Sequence, residues 1–452
     1  MHDARRGNHR EPMHFCFDTC HTCRSWKTLL RRRHGASVGK RRAGAPLDSE
    51  PSRKAPRLAE ACVAELKIMP NNKVVLAATG GLAVLAIYYA MRRRYRGGAA
   101  STTEEGIPVW DLSKFLAGDL DESSCKSMAA YLRRTSILVI RDPRVSEKEA
   151  TAFTALMQKY YSQPKELLMK DARPECAYQV GVTPENVECA KCAKDPTCLA
   201  SIDAMPAVHR PHKPTKADPK WRFFWRVGPR PTTSDFPEQN LEPVRPQAFP
   251  EWSQTMDAWG AKMLSALETT TEMLAIGFGL PQSALRDLMR NGPHLLAPTG
   301  SDLASYSEEG TVFAGWHTDL NFLTIHGKSN FPGLYVWLRD GSKMSVKVPP
   351  GCLLIQAGQQ MEYVFGGHVT AGYHEVVVDA SAMAAAAKAK GDGKSMWRIS
   401  STMFGTVRSD ALLQPFETFQ AEPNAHKYPP IKAGQQVLNE LMAIGMADDL
   451  KK

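Results

Sequence analysis

The chain has 452 residues, with 57 Lys and Arg against 47 Asp and Glu, 43% apolar and 8% aromatic side chains. That composition excludes a wholly disordered chain, a collagen-like repeat and a small disulfide scaffold. The net charge of +10 sits at one end: residues 1–100 carry 20 basic and 7 acidic side chains and the rest carry 37 and 40, so the basic pI gives no support to nucleic-acid binding by the body.

Residues 1–73 hold Arg31, Arg32, Arg33, Lys40, Arg41 and Arg42 among Gly, Ala, Ser and Pro, with no apolar periodicity able to nucleate a core. A disordered basic segment is expected there, a targeting peptide or a natural start at Met69 being the alternatives. Cys16, Cys20 and Cys23 with His14 and His21 form a metal-like cluster inside it. Residues 74–91 (VVLAATGGLAVLAIYYAM) are uncharged and mainly apolar, and Arg92, Arg93, Arg94 and Arg96 follow. At 1.5 Å per residue the run reaches about 27 Å, the thickness of a hydrocarbon core. It reads as a single-pass anchor with the Arg cluster and the following domain facing the cytosol, against the alternative of a buried core helix. Residues 92–106 are a linker.

The body alternates short elements. IPVWDLSKF opens it as a strand and turn, helical periodicity covers 123–134, a β-rich run covers 136–140, and a second helix capped by Ser146 covers 146–161. Residues 174–231, rich in Pro, Cys and aromatics, read as long loops, and 250–279 as a long amphipathic helix ended by Gly277 and Gly279. From 303 onward the texture is short β segments between Gly and Pro: TVFAGWHTD, FLTIHG, GLYVWL, SVKVPPG, CLLIQAG, MEYVFGG, HEVVVD and WRISSTMF. Eight such segments after a helical stretch suggest a barrel or jelly roll.

The chemistry sits on those strands. On extended chain, residues i and i+2 share a face, so His317 and Asp319 converge, and a later His such as His374 completes two imidazoles and a carboxylate, the ligand set of a non-haem Fe(II) site. Arg398 and Ser400 share a strand face in the same way, and a guanidinium beside a hydroxyl suits a carboxylate.

In the ordered combination H-x-D, P-G-L-x-V, V-P-P-G, I-x-A-G, H and R-x-S, and in its N-terminal IPVWDLSKF and SILVIRDPRVSEKEATAFTALMQKYYSQPKE, the chain from 107 to 404 resembles the isopenicillin N synthase-like family of Fe(II)/2-oxoglutarate-dependent oxygenases. The resemblance implies a double-stranded β-helix (jelly-roll) core over 301–410, a helical N-terminal cap over 107–300 and a C-terminal extension over 411–452. It implies that His317, Asp319 and His374 ligate Fe(II), with His368 the rival for the last place. It implies that Arg398 and Ser400 bind the distal carboxylate of 2-oxoglutarate, with Tyr306 close to the co-substrate and ascorbate a candidate reductant. The implied reaction is dioxygenase oxidation of a small molecule by molecular oxygen, hydroxylating or desaturating it, with release of succinate and CO2. The alternatives are an iron-dependent oxidase that does not use 2-oxoglutarate and a membrane-tethered scaffold without catalysis.

Two departures from the family pattern stand out: an insertion over 379–396, expected as an exposed Ala/Lys helix and turn, and a Cys-rich loop over 176–198. Cys176, Cys189, Cys192 and Cys198 suit either four free loop thiols or a zinc site, free thiols being favoured. Trp316, Phe322, Tyr335 and Trp337 are expected as barrel core or pocket wall, and residues 178–183 with Trp225 and Arg226 as loops closing over the site.

Overall fold

Leu, Val and Ile dominate the run after Ser136, and all four side chains from Ile137 to Ile140 are buried, as in a strand covered on both faces. The computed structural model describes residues 101–446 apart from 105 and 445. The basic segment, the Cys16, Cys20 and Cys23 cluster and the apolar run 74–91 lie outside the described residues. Among the described residues no helix is long and apolar enough to cross a membrane.

In chain order the main strands are β1 (Pro108–Asp111), β2 (Ile137–Arg141), β3 (Trp221–Val227), β4 (His294–Leu296), β5 (Thr299–Asp302), β6 (Val312–His317) and β7 (Leu323–His326). They continue as β8 (Leu334–Trp337), β9 (Lys343–Ser345), β10 (Cys352–Ala357), β11 (Tyr373–Val377), β12 (Trp397–Ser400) and β13 (Thr402–Gly405). The larger sheet runs β1-β2-β10-β7-β13-β4-β3-β5-β12, and the smaller one β9-β8-β11-β6. Strands β1 to β4 come from the part expected as a helical cap, and β5 straddles its end, so that part contributes sheet as well as helix. WRISSTMF is two strands: β12 pairs with β5, whereas β13 pairs with β7 and β4, the change of partner falling at Ser401.

Helices α1 (Glu122–Thr135), α2 (Glu147–Tyr161), α3 (Pro196–Ala204), α4 (Trp252–Gly277), α5 (Gln359–Val364), α6 (Ala380–Gly391) and α7 (Ala433–Ala443) complete the framework. Ser146 caps α2 as expected, in a capping box with Glu149, an arrangement worth about 1 kcal/mol. At the end of α4, Gly277 lets α1 approach: a Cβ there would collide with the Cys125 carbonyl oxygen and stand 2.7 Å from the Ala129 Cβ.

Three expectations are corrected. MEYVFGG is not a strand: α5 covers Gln359–Val364, with Met361, Val364 and Phe365 buried at helical spacing, and Gly366 and Gly367 turn out of it at positive φ. The stretch 174–231 is not only loops, since it contains α3 and the seven-residue β3, whose Trp221, Phe223, Trp225 and Val227 are buried on alternate positions. The insertion helix α6 is not simply exposed. Ala382, Ala386 and Ala389 bury one face against Leu303, Phe313, Phe331 and Val378, and Asp379 caps its start by accepting from the Ala382 N–H at 2.7 Å.

Candidate metal centre

Strand register assembles the site. β11 lies antiparallel to β6 with His374 directly opposite His317, and the two imidazole centroids are 4.2 Å apart. Asp319 follows two residues beyond His317, and one ligand atom from each of the three lies within 4.8 Å of the others. The Nδ1 atoms of His317 and His374 face the carbonyl oxygens of Gly315 at 2.6 Å and Gly372 at 3.4 Å. A carbonyl only accepts, so both Nδ1 carry hydrogen and both Nε2 present lone pairs. Those Nε2 atoms stand 3.6 Å and 3.9 Å from the same Asp319 oxygen, Oδ1.

Thr324, on the larger sheet, donates its hydroxyl to the other oxygen, Asp319 Oδ2, at 2.5 Å. Burial would raise the Asp319 carboxyl, but His374, His317 and the Thr324 hydroxyl hold it well below the usual carboxylate range. Burial, reinforced by His317, lowers His374 to about 3, so its imidazole is neutral at physiological pH. Two imidazole nitrogens and an ionised carboxylate oxygen form a donor set that fits Fe(II).

A cavity of about 310 Å³ extends from this group, lined by His317, Asp319, His374, His326, Arg398 and Ser400 among others. Arg398 is 4% exposed and donates through Nε to the Pro332 carbonyl at 3.1 Å. Burial is the cause that lowers it to about 10, and among the described residues no carboxylate stands in ion-pair contact with it. A desolvated guanidinium of this kind calls for an anion inside the cavity. Ser400, two residues on along the same strand, lies 3.0 Å from the Thr402 hydroxyl.

A second cavity of about 380 Å³ meets the first at His317, Asp319, Lys220, Arg222 and Phe404. Trp316 stacks on Tyr373 at 3.9 Å in its wall. Leu441 of α7 and Met446 beyond it close another side, so the C-terminal extension is part of the site's enclosure. Between the cavities, Lys220 pairs with Asp218 at 2.6 Å and with Glu188 at 3.0 Å, and Arg222 pairs with Glu188 at 3.1 Å. Burial would raise the Glu188 carboxyl, but Arg222 and Lys220 hold it below its ordinary value. This quartet, Asp218 and Lys220 buried and Glu188 and Arg222 partly so, escaped the sequence reading, although the alternation of WRFFWRV was a strand signal that would have placed Arg222.

The remaining expectations divide. His368 is excluded from the metal group: its Nδ1 lies 2.7 Å from Glu422, and it packs against Phe278 and Phe419. Tyr306 does not line the first cavity; its hydroxyl donates to Glu185 at 3.1 Å and its ring packs against Phe313. Cys192 and Cys198 form a disulfide, while Cys176 and Cys189 are free, so neither the zinc site nor four free thiols is present. Burial raises the Cys189 thiol. Phe322, Trp337 and Tyr335 belong to packed clusters, and Trp316 does both jobs. Trp225 and Arg226 sit buried in β3 rather than in a closing loop, and Gln179 from 178–183 reaches the second cavity.

No protein-family model matches the chain. Among curated relatives it is 24% identical over 219 residues to the kihadalactone A synthase LFS of Citrus sinensis, covering 45% of this chain and 58% of that one. It is 23% identical over 145 residues to a flavonol synthase/flavanone 3-hydroxylase of Petunia hybrida, covering 30% and 38%. The chain thus spans less than two thirds of the length of these relatives. Among solved structures it shares its fold with a protein from Caulobacter crescentus assigned to the 2OG-Fe(II) oxygenase family, at a TM-score of 0.59 and 20% identity over 75% of this chain and 99% of that one. It shares it also with a full-length protein of Neurospora crassa solved in complex with alpha-KG, at a TM-score of 0.57 and 17% identity over 76% and 99%. In sequence and in fold the chain therefore resembles the 2-oxoglutarate- and Fe(II)-dependent oxygenases, the family its motifs named.

Proposed function

We propose that the protein is an Fe(II)- and 2-oxoglutarate-dependent oxygenase of a small molecule, built on a double-stranded β-helix. The observation that carries this reading is the pairing, in one cavity, of a convergent His317, Asp319 and His374 with a buried guanidinium, Arg398, that has no carboxylate in ion-pair contact among the described residues. Bound at the three donors, Fe(II) supplies coupling of oxygen reduction and 2-oxoglutarate decarboxylation to oxidation of a substrate C–H bond, with release of succinate and CO2.

The chain's own residues do the rest. Gly315 and Gly372 carbonyls fix the imidazole tautomers, and Thr324 turns Asp319 so that Oδ1 faces both Nε2 atoms. Arg398 and Ser400 grip the distal carboxylate of 2-oxoglutarate at the far end of the first cavity. The second cavity holds the substrate, α7 and the Cys192–Cys198 loop keeping water from it. Most of its charged side chains are paired with one another, as Lys191 is with Glu440 at 3.3 Å at the wall, and Asp195 is taken up by the Thr197 and Cys198 N–H groups, so the cavity favours an uncharged, largely apolar molecule. The apolar run 74–91 serves as a membrane anchor in this reading.

The test is an anaerobic Fe(II) titration with and without 2-oxoglutarate, following the visible charge-transfer band of a chelated 2-oxo acid. The band is expected with the parent protein and is expected to disappear in Arg398→Ala at the same co-substrate concentration. Iron binding without the band would exclude 2-oxoglutarate and leave an oxidase; no iron binding would exclude both.

A further inference from the structure

His326 was not singled out in the sequence, and its surroundings give it a part in holding the co-substrate. It stands on β7 opposite Thr402 of β13, and on its other side β7 pairs with β10, which carries Gln356. The alternation of strand faces brings the three side chains into one row. His326 Nδ1 lies 3.1 Å from the Thr402 hydroxyl, and its Nε2 lies 2.7 Å from the Gln356 side-chain oxygen. Thr402 in turn lies 3.0 Å from the Ser400 hydroxyl, which faces the same cavity as Arg398. Ser400, Thr402, His326 and Gln356 are therefore one hydrogen-bonded chain, the first three lining the cavity and Gln356 buried in the sheet.

Such a chain has two directions. A neutral imidazole has one N–H, and each hydroxyl has one hydrogen. If His326 donates from Nε2 to the Gln356 oxygen, its Nδ1 must accept from Thr402, and Thr402 must accept from Ser400. The Ser400 hydrogen then points inward, and a carboxylate arriving in the cavity meets an oxygen lone pair. If instead His326 donates from Nδ1, Thr402 donates to Ser400 and Ser400 donates outward to the carboxylate. The amide of Gln356 must then turn to donate to Nε2. The inward direction leaves the Gln356 side-chain nitrogen without a hydrogen-bond partner, and it is indeed buried and unpartnered. Turning the amide leaves its oxygen in that position instead, so the two directions cost the protein similar amounts and a ligand can choose between them.

We infer that His326 is a positioning residue for the distal carboxylate of 2-oxoglutarate, acting through Thr402 and Ser400, and that carboxylate binding sets the chain to donate outward from His326 Nδ1. This rests on the oxygenase reading above and adds to it a residue and a direction. It also distinguishes co-substrates: pyruvate, a 2-oxo acid with no distal carboxylate, cannot reach Ser400 while chelating the metal.

The experiment uses the full chain with 15N-labelled histidine and Zn(II) in place of Fe(II), and reads the nitrogen shifts of His326, assigned by their loss in His326→Gln. Binding of each 2-oxo acid is measured in parallel by calorimetry. With 2-oxoglutarate, His326 Nδ1 is expected to become the hydrogen-bearing nitrogen; with saturating pyruvate it is expected to stay an acceptor. Thr402→Val, which keeps the shape and removes the hydroxyl, is expected to weaken 2-oxoglutarate about 2- to 10-fold, the net worth of the one neutral hydrogen bond through which Thr402 supports the Ser400 donation, and to leave pyruvate unchanged. Bound 2-oxoglutarate with His326 Nδ1 still an acceptor would overturn the inference and spare the oxygenase reading, as would undiminished 2-oxoglutarate affinity in Thr402→Val. Failure of 2-oxoglutarate to bind the parent protein would overturn both.

Discussion

Asp319 shows how much a single oxygen decides. Its Oδ1 faces two imidazoles and its Oδ2 is held by Thr324, so the Thr324 hydroxyl orients the proposed carboxylate ligand from the opposite sheet. Thr324→Val is expected to weaken Fe(II) about 10- to 100-fold, the usual cost of losing such a partner, in a competition titration with a chelating dye. His294 carries a second consequence away from the site. Burial, then Arg226, lowers it to about 3, and its Nδ1 accepts from the Thr406 N–H at 3.1 Å. Unfolded, it titrates near its ordinary value of 6.5. Between those values the unfolded chain binds a proton that the native chain refuses, so stability falls as pH falls, by about 1.4 kcal/mol per unit for each such group. His374 acts in the same direction. Denaturant midpoints of the metal-free protein are expected to drop from pH 7.5 to 5.5, and less steeply in His294→Gln; equal slopes in the two proteins would sink the assignment. At this scale the i, i+2 spacing of His317 with Asp319 and of Arg398 with Ser400 was legible along the chain, whereas the choice of His374 over His368 came from the family resemblance. The sequence was silent on His326 and Glu188, because their partners come from strands and loops far along the chain.

At the scale of elements, legibility followed local periodicity. Helices α1, α2 and α4 fell within a few residues of their expected ranges, since one apolar face and recognisable ends define them. MEYVFGG misled because Tyr363 and Val364 favour strands, while burial of Met361, Val364 and Phe365 on one side decided for a helix. β3 was hidden by the Pro- and Cys-rich context around it, although it is the strand that brings Arg222 to the site. Close packing between elements is also testable. Gly277→Ala would push a methyl group into the Cys125 carbonyl, where α1 crosses α4. A loss of about 1–3 kcal/mol is expected in chemical denaturation, with Fe(II) affinity unchanged because the crossing does not touch the metal residues.

For the whole molecule, the arrangement is two cavities that share one wall at His317 and Asp319 and are closed by segments the motifs do not include. The motifs reported the common wall; the closures, α7 and the loop around Cys192, depend on chain segments that carry no family signature. The N-terminal hundred residues hold the basic excess, and the anchor reading makes a plain prediction. The full chain should stay with membranes through alkaline carbonate washing, and a chain starting at residue 101 should be released; release of both would remove the anchor. Orientation is a separate matter. In the anchor reading the Arg cluster would face the cytosol, whereas a disulfide such as Cys192–Cys198 is ordinarily kept in an oxidising compartment.

The same disulfide bears on how the protein should be handled. Iron oxygenases are assayed with a reductant to keep iron ferrous, and the choice is usually treated as a convenience. Here Cys192 and Cys198 both line the second cavity, with Lys191 beside them tied to Glu440 of α7. A thiol reagent such as dithiothreitol would open that bond by exchange and slacken the cavity wall, whereas ascorbate, which acts on iron and not on disulfides, would leave it closed. Two laboratories using the two reagents would then be screening substrates against differently shaped pockets.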